Sequence, residues 1–299
     1  MTDRLALVGL GQMGLPIATR LATVFDVIAF DISAERRSLA SAIERVEATD
    51  DLSELAAAAV IVLSLPNPGI SRSVLEQLAP GLTRGAIVVE TSTVLPDDVR
   101  AAQRILEPTG TRIVDAAVLS GVAQMERGSA TLLVGGDDAD LDAIAPVLDA
   151  LGGAGVQRFG PLGAGMAAKV VNNGVAHAVM VVLVEAFAMA RAEGLALEDI
   201  AAMLDREDGG LQRPLNHRVM ERIARGDFEG GMPLDAARKD STLALAMAQR
   251  SGTPLFATQA AQTVYDIALG AGLGRQDYSA IARLWEQWTG RDLTFGVES

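Results

Sequence analysis

Short, uninterrupted apolar runs alternate with stretches of helical period up to about residue 160. The runs are rich in β-branched residues, which is typical of strands buried on both faces of a sheet. They occupy residues 5–9, 27–30, 60–65, 86–90, 112–118 and 131–136. Because strands that alternate with helices form βαβ units, we expect a mostly parallel, doubly wound α/β sheet in this part of the chain.

The strand pattern stops after "FGPLGAG", and segments of helical period rich in alanine, leucine and methionine follow. This change predicts two domains, with the sheet in residues 1–161 and helices alone in residues 162–299. One long helix should join them. Its apolar part, residues 170–184, is 15 residues without a formal charge, whereas a membrane-spanning helix needs about 18 to 20 apolar residues. We therefore expect a buried core helix there.

The charge and residue composition of the chain argue against several classes of partner and of chemistry. The net charge is 25 − 38 = −13 and the estimated pI is 4.6, which disfavours nucleic acid and anionic membrane surfaces as partners. The chain has no cysteine and only two histidines, so disulfides and thiolate chemistry are excluded and we predict no metal site. The N-terminal segment lacks the features of an export signal, and we expect a cytoplasmic protein.

The segment "VGLGQMG" has the spacing G-x-G-x-x-G between the first predicted strand and the first predicted helix. Gly9 suits a tight turn, Gly11 a close approach to a pyrophosphate, and Gly14 close packing of helix on strand. A glycine-rich turn without a ligand is the alternative. The predicted cofactor contacts in this loop are Gly9, Leu10, Gly11, Gln12, Met13 and Gly14.

Asp31 ends the second predicted strand, 20 residues after Gly11. A carboxylate there can accept hydrogen bonds from the adenosine ribose and repels a 2′-phosphate, so NAD is favoured as the cofactor. Asp31 as a turn or helix N-cap residue is the alternative. Arg36 and Arg37 follow closely and keep NADP possible, although helical period predicts that both face solvent.

Four stretches in order make the chain resemble the β-hydroxyacid dehydrogenase family, which includes 3-hydroxyisobutyrate dehydrogenase and tartronate semialdehyde reductase and is related to 6-phosphogluconate dehydrogenase. They are "GLGQMGLPIA", "DAAVLSGVAQMERGSATLLVGG", "GAGMAAKVVNN" and "KDSTLAL". The resemblance implies an N-terminal Rossmann domain, an all-helical C-terminal domain, a cleft between them for the active site, and a homodimer or homotetramer. It also implies that Leu65, Pro66, Thr93 and Lys239 contact the nicotinamide end of the cofactor; a surface lysine paired with Asp240 is the alternative for Lys239.

Lys169 stands among glycine, alanine and valine at the predicted start of the long helix. Oxidising an alcohol requires a group that takes the hydroxyl proton, and a buried lysine with a lowered pKa can do this. Asn173 lies four residues on, so both side chains share a helix face. By resemblance, Lys169 is the catalytic acid/base and Asn173 a substrate contact; a lysine whose amine reaches solvent at the helix edge is the alternative.

The predicted substrate loop departs from the family pattern D-A-P-V-S-G-G. Leu119 replaces the serine and Ser120 the first glycine. Leu119 cannot donate a side-chain hydrogen bond, whereas Ser120, Gly121 and Val122 could supply a hydroxyl or amides. Either the loop still holds a carboxylate through these three residues, or it has been rebuilt for another head group.

Together these features predict an NAD-dependent oxidoreductase that reversibly oxidises a small 3-hydroxy acid, similar to 3-hydroxyisobutyrate, to its semialdehyde. The partners are then a small hydroxy acid or aldehyde. Two alternatives remain: an imine reductase of the same architecture, and a catalytically silent dinucleotide-binding regulatory protein.

Overall fold

The computed structural model describes residues 4–296, and within them the first part of the chain forms an eight-stranded sheet. The strands are β1 (Arg4–Val8), β2 (Asp26–Phe30), β3 (Val46–Thr49), β4 (Val60–Leu63), β5 (Ile87–Glu90), β6 (Arg112–Val118), β7 (Thr131–Gly135) and β8 (Gly155–Arg158). Their order is β3-β2-β1-β4-β5-β6-β7-β8. The first six positions of this order are those of a dinucleotide-binding Rossmann sheet.

All neighbouring strands pair in parallel except β6 and β7, which pair antiparallel. The mostly parallel, doubly wound sheet is therefore confirmed. The six apolar runs are six of its strands. The sequence pattern missed β3 ("VEAT") and β8 ("GVQR"), because both are short, mix polar with apolar residues and are only partly buried.

Eight helices connect or follow these strands within the described residues: α1 (Gly14–Ala22), α2 (Ala34–Ser41), α3 (Pro68–Leu78), α4 (Pro96–Leu106), α5 (Val122–Glu126), α6 (Asp138–Ala143), α7 (Ala145–Leu151) and α8 (Ala164–Ala192). They cover both faces of the sheet. Along β1, for example, Leu5 and Leu7 pack in one apolar layer while Ala6 and Val8 pack in the other, as the alternation of side chains along a strand requires.

The chain divides into two compact units within α8, the first ending at Gly174 and the second beginning at Val175. The second unit adds α9 (Leu197–Leu204), α10 (Leu234–Ser251), α11 (Phe256–Gly270) and α12 (Ala282–Thr289), with a π-helical turn at Pro214–Val219. It contains no strand among its described residues, which confirms the helical C-terminal part.

Buried carboxylates hold this second unit together. Asp277 is fully buried and accepts hydrogen bonds from the Met232 N–H and from the Ser279 N–H and hydroxyl. Glu185, on the C-terminal half of α8, accepts hydrogen bonds from the N–H groups of Ala257 and Thr258 at the start of α11. The second contact satisfies helix-start amides that otherwise lack partners.

The prediction of a buried core helix at residues 170–184 is wrong for the single chain. The most apolar 18-residue window of α8 is only 11% buried, and Val171, Val175 and Met180 are 68%, 60% and 58% exposed. By length and composition alone α8 could cross a membrane, but core helices of globular proteins pass the same test. The apolar pattern was identified correctly, but this part of α8 is largely exposed within the described residues.

Candidate functional site

The glycine loop between β1 and α1 leaves no room for side chains at two of its three glycines. A Cβ on Gly14 would lie 2.1 Å from the carbonyl oxygen of Gly9, and a Cβ on Gly9, whose φ is +97°, would lie 2.2 Å from that of Ser64. A Cβ on Gly11 meets no atom within 4 Å. The loop is therefore packed tightly on its protein side and open at Gly11, where a ligand's phosphates would approach.

A cavity of about 660 Å³ lies beside this loop at the carboxyl edge of the sheet. Its volume falls in the range of small-ligand and cofactor sites. The predicted cofactor residues on its wall are Gly9, Gly11, Gln12, Met13, Gly14, Asp31, Leu65 and Pro66. The Leu10 side chain is instead fully buried in the core, so only its backbone is directed to the loop.

Asp31 directly follows β2 and lines this cavity. Its two carboxylate oxygens accept hydrogen bonds from the Leu10 N–H at 2.7 Å and the Ser33 N–H at 2.8 Å. The carboxylate therefore shapes the loop and the turn before α2, and each oxygen keeps a lone pair for another donor. The N-cap of α2 is Ser33, not Asp31.

The prediction that Arg36 and Arg37 face solvent is wrong. Arg36 lines the cavity next to Asp31. The Arg37 guanidinium turns back and donates to the carbonyl oxygens of Asp31 and Ile32, at 2.8 and 3.1 Å. Helical period could not show this, because both side chains fold over the first turn of a short helix towards the strand end.

Asp115 of β6 anchors the first turn of α8. It is fully buried, and its oxygens accept hydrogen bonds from the Gly163 N–H at 2.6 Å and the Met166 N–H at 2.7 Å. A Cβ on Gly165 would lie 2.3 Å from the carbonyl oxygen of Leu133 in β7, so the helix start lies directly on the sheet. Sequence reasoning placed Asp115 in the substrate loop; its side chain is instead used inside the protein.

Lys169 follows one turn after this anchor. It is half-buried, and burial lowers the pKa of its amine below the ordinary 10.5. Asn173 is also half-buried, while Asn172 is exposed and donates to the Asn173 side-chain oxygen at 3.4 Å. The anchored helix thus holds a partly desolvated amine and an amide on one face, which is the arrangement needed to bind an oxygen and exchange its proton.

The substrate-loop residues lie between β6 and α5. The Ser120 hydroxyl donates to the Leu119 carbonyl oxygen at 2.6 Å and accepts from the Thr131 N–H at 3.1 Å. The Leu119 side chain packs against the apolar layer of the sheet. Gly121 is exposed and immediately precedes α5, and Val122 is its first residue. The Ser120 proton is therefore already donated, and the backbone of Gly121 and Val122 is the more accessible part of the loop.

Besides Leu10, two predicted cofactor contacts are not among the residues that line the cavity. Thr93 is exposed after β5. Lys239 is exposed on α10, in the second unit, with its Nζ 3.5 Å from an Asp240 oxygen, as in the alternative interpretation. Among residues 4–296 no cluster of histidine, aspartate and glutamate could hold a metal ion.

The distribution of lysine and arginine along the chain also distinguishes Lys169 and Lys239. The 25 basic residues comprise only two lysines, Lys169 and Lys239, and therefore 25 − 2 = 23 arginines. A lysine can lose its proton near neutral pH and an arginine cannot. A chain that uses arginine almost everywhere retains lysine at Lys169, where proton transfer would need it.

Family models cover most of the chain. Residues 4–160 match the NAD binding domain of 6-phosphogluconate dehydrogenase. Residues 163–285 match the NAD-binding domain of NADP-dependent 3-hydroxyisobutyrate dehydrogenase. The two matches correspond to the sheet and to the helical part that begins with α8.

Full-length relatives agree with the family models. A 2-(hydroxymethyl)glutarate dehydrogenase of Eubacterium barkeri is 32% identical and the alignment covers 98% of both chains. An NAD-dependent L-serine dehydrogenase of Pseudomonas aeruginosa is 30% identical over 96% of this chain and 99% of its own. An imine reductase from Myxococcus stipitatus, solved with NAD⁺, shares the fold with a TM-score of 0.87 at 19% identity, over 95% of this chain and 100% of that one.

The two family models, the full-length relatives and the glycine loop beside its cavity agree. The chain belongs to the β-hydroxyacid dehydrogenase family, the oxidoreductases that act on CH–OH groups with a nicotinamide dinucleotide.

Proposed function

We propose that this protein oxidises the hydroxyl of a small 3-hydroxy acid reversibly to the semialdehyde, with Lys169 as the general acid/base. The half-buried Lys169, held by the anchored start of α8, carries this proposal. The substrates named for the two relatives support the class, since 2-(hydroxymethyl)glutarate and L-serine both carry a hydroxymethyl group next to a carboxylate-bearing carbon.

A dinucleotide fits the residues present, because Gly11 is open to the cavity while Asp31 and Leu65 line its wall. When bound, its nicotinamide ring accepts the hydride from the carbinol carbon. The neutral amine of Lys169 takes the hydroxyl proton during oxidation and returns it during reduction. Asn173, on the same face, holds the reacting oxygen. Burial of Lys169 favours the neutral amine that oxidation requires.

The substrate carboxylate would be held by the backbone N–H groups of Gly121 and Val122. The Ser120 hydroxyl supports this loop by bonding to the Leu119 carbonyl oxygen and the Thr131 N–H. Backbone amides can bind a carboxylate without the side chain that Leu119 has replaced.

Turnover of a panel of hydroxy acids and plain alcohols with NAD at alkaline pH tests this function. We expect activity on acids whose hydroxyl is on the third carbon and little on alcohols of the same size without a carboxylate. Activity confined to cyclic imines would establish the imine reductase alternative, which the presence of Lys169 disfavours. Tight NAD binding without turnover of any compound would establish the regulatory alternative.

The cofactor preference follows from Asp31 and Arg36, which lie on the same cavity wall. We propose NAD as the favoured cofactor, because the Asp31 carboxylate repels a 2′-phosphate. Replacing Asp31→Asn keeps a hydrogen-bond acceptor but removes the charge, and should raise kcat/KM for NADP relative to NAD by about tenfold, or about 1.4 kcal/mol. Adding Arg36→Ala should reverse most of that gain. A wild-type enzyme that prefers NADP would contradict this assignment.

We also propose a cytoplasmic homodimer or homotetramer in which copies of α8 cover one another. The exposed apolar face of α8 supports this, because such a surface is not stable in water without a partner. Light scattering in detergent-free buffer should give two or four times 31.2 kDa. A monomer in that buffer, or a protein that needs detergent to remain in solution, would contradict it.

A further inference from the structure

Glu90, the last residue of β5, is a buried carboxylate that the mechanism above does not use. It is 2% exposed, and its neighbours in register are Leu63 of β4 and Asp115 of β6. A carboxylate in this position is costly unless hydrogen bonds stabilise it. Its hydrogen-bond partners therefore indicate what it does.

Those partners lead to the cofactor cavity. The Ser92 N–H donates to Glu90 Oε1 at 2.9 Å. The Ser92 Oγ accepts the Leu65 N–H at 2.8 Å. Leu65 and Pro66 then form part of the cavity wall.

We propose that Glu90 is a positioning residue of the cofactor site: its ionised carboxylate orients Ser92, Ser92 fixes the Leu65–Pro66 segment, and protonation of Glu90 weakens dinucleotide binding. This rests on the proposed function only in that the dinucleotide binds in the cavity beside Leu65. It requires nothing of Lys169.

The groups around Glu90 place its ionisation near neutral pH. Burial raises the pKa of Glu90 to about 7, against the hydrogen bond from the Ser92 N–H, and the charge of Asp115 raises it further. Ser71 and Arg72 of α3 and Asp98 of α4 line a small cavity with it. Arg72 lies 3.5 Å from Glu76 on its own helix.

The direction of the effect follows from the hydrogen bonds. The ionised carboxylate only accepts, and so holds the Ser92 N–H, whereas the protonated acid carries a donor that competes with it. Dinucleotide affinity should therefore be highest above pH 7 and fall as pH drops. The loss of about one hydrogen bond, roughly 1 kcal/mol, corresponds to about a fivefold weaker Kd.

NADH fluorescence titrations between pH 6 and pH 8.5 test this in the intact protein. The wild-type Kd should rise about fivefold from pH 8 to pH 6. Glu90→Gln mimics the protonated acid, so at pH 8 it should bind as the wild type does at pH 6, with no pH dependence. The matched control Glu44→Gln, at an exposed glutamate of the same unit, should follow the wild type.

Two results would overturn the proposal: Glu90→Gln binding that equals the wild type at pH 8, or a pH dependence that survives the substitution. If Glu90→Gln does not fold, Ser92→Ala replaces it in the experiment. Ser92→Ala should bind NADH weakly at every pH. Binding of NADH by Ser92→Ala with the wild-type Kd and pH dependence would also overturn the proposal. Lys169→Ala should retain the pH dependence, so a failed acid/base role and a failed positioning role give different results. No NADH binding by the wild type at any pH would refute the proposed function, and the role of Glu90 with it.

Discussion

Replacing Lys169→Ala should reduce kcat for hydroxy acid oxidation by about 10²- to 10⁴-fold, the usual contribution of general acid–base catalysis. The Kd for NADH should change by less than about twofold, because the cofactor cavity is lined by the glycine loop and by Asp31, Leu65 and Pro66 rather than by α8. Steady-state kinetics and NADH titration of the same preparations measure the two quantities separately.

Lys169→Arg distinguishes proton transfer from charge. Arginine keeps the positive charge and reaches as far as lysine, but it does not deprotonate in proteins. We therefore expect Lys169→Arg to be as inactive as Lys169→Ala. Substantial activity in the arginine variant would mean that Lys169 supplies only charge, and wild-type kcat in the alanine variant would remove it from the mechanism.

The pH dependence of the wild-type kcat should follow the ionisation of Lys169. Oxidation requires the neutral amine, so kcat should rise with pH through the pKa of Lys169, while reduction of the aldehyde should rise as pH falls. Burial lowers that pKa below 10.5, so the rising limb should lie below pH 10.5. The limb should be absent in the residual activity of Lys169→Ala.

The second large effect is expected at Gly165. Its Cβ would lie 2.3 Å from the Leu133 carbonyl oxygen and 2.9 Å from Asp115 Oδ2. The backbone of β7 is paired on both sides and cannot move aside cheaply, so Gly165→Ala should lower the free energy of unfolding by about 3 kcal/mol. It should also lower kcat, because it displaces the helix start that carries Lys169. Urea unfolding and kinetics check both effects.

Gly174→Ala is the matched control on the same helix. A Cβ on Gly174 meets no atom within 4 Å, and alanine is the better helix former by about 1 kcal/mol. We therefore expect unchanged or slightly higher stability. Equal destabilisation by the two substitutions would contradict the close docking of α8 onto β6 and β7.

Much of the fold could be predicted from sequence because its elements have strong local patterns. The runs in β1 and β4 are continuous and apolar, and the glycine spacing after β1 has a steric reason at Gly9 and Gly14. The direction of β7 could not be predicted, because a buried run such as "TLLVGG" is equally apolar in a parallel or an antiparallel strand. The exposure of α8 could not be predicted either, since an apolar pattern does not show whether the rest of the chain covers the face it forms.

The shared helix face of Lys169 and Asn173 could be predicted from their four-residue spacing. The hydrogen-bond partners of other polar side chains could not be predicted. Asp115 and Ser120 are polar residues whose side chains accept hydrogen bonds from backbone N–H groups distant in sequence. Sequence patterns contain no information about such non-local partners, so a structural carboxylate and a substrate-binding one have the same appearance in sequence.

The ionisation of Lys169 tests the central claim most directly. Because the chain has only two lysines, selective ¹³C labelling at the lysine ε carbon gives two signals, and Lys239→Arg identifies which belongs to Lys169. We expect the Lys169 pKa to lie below 10.5, and NAD⁺ to lower it further through the positive nicotinamide ring. A Lys169 amine that titrates at or above 10.5, with and without NAD⁺, would contradict its role as the base.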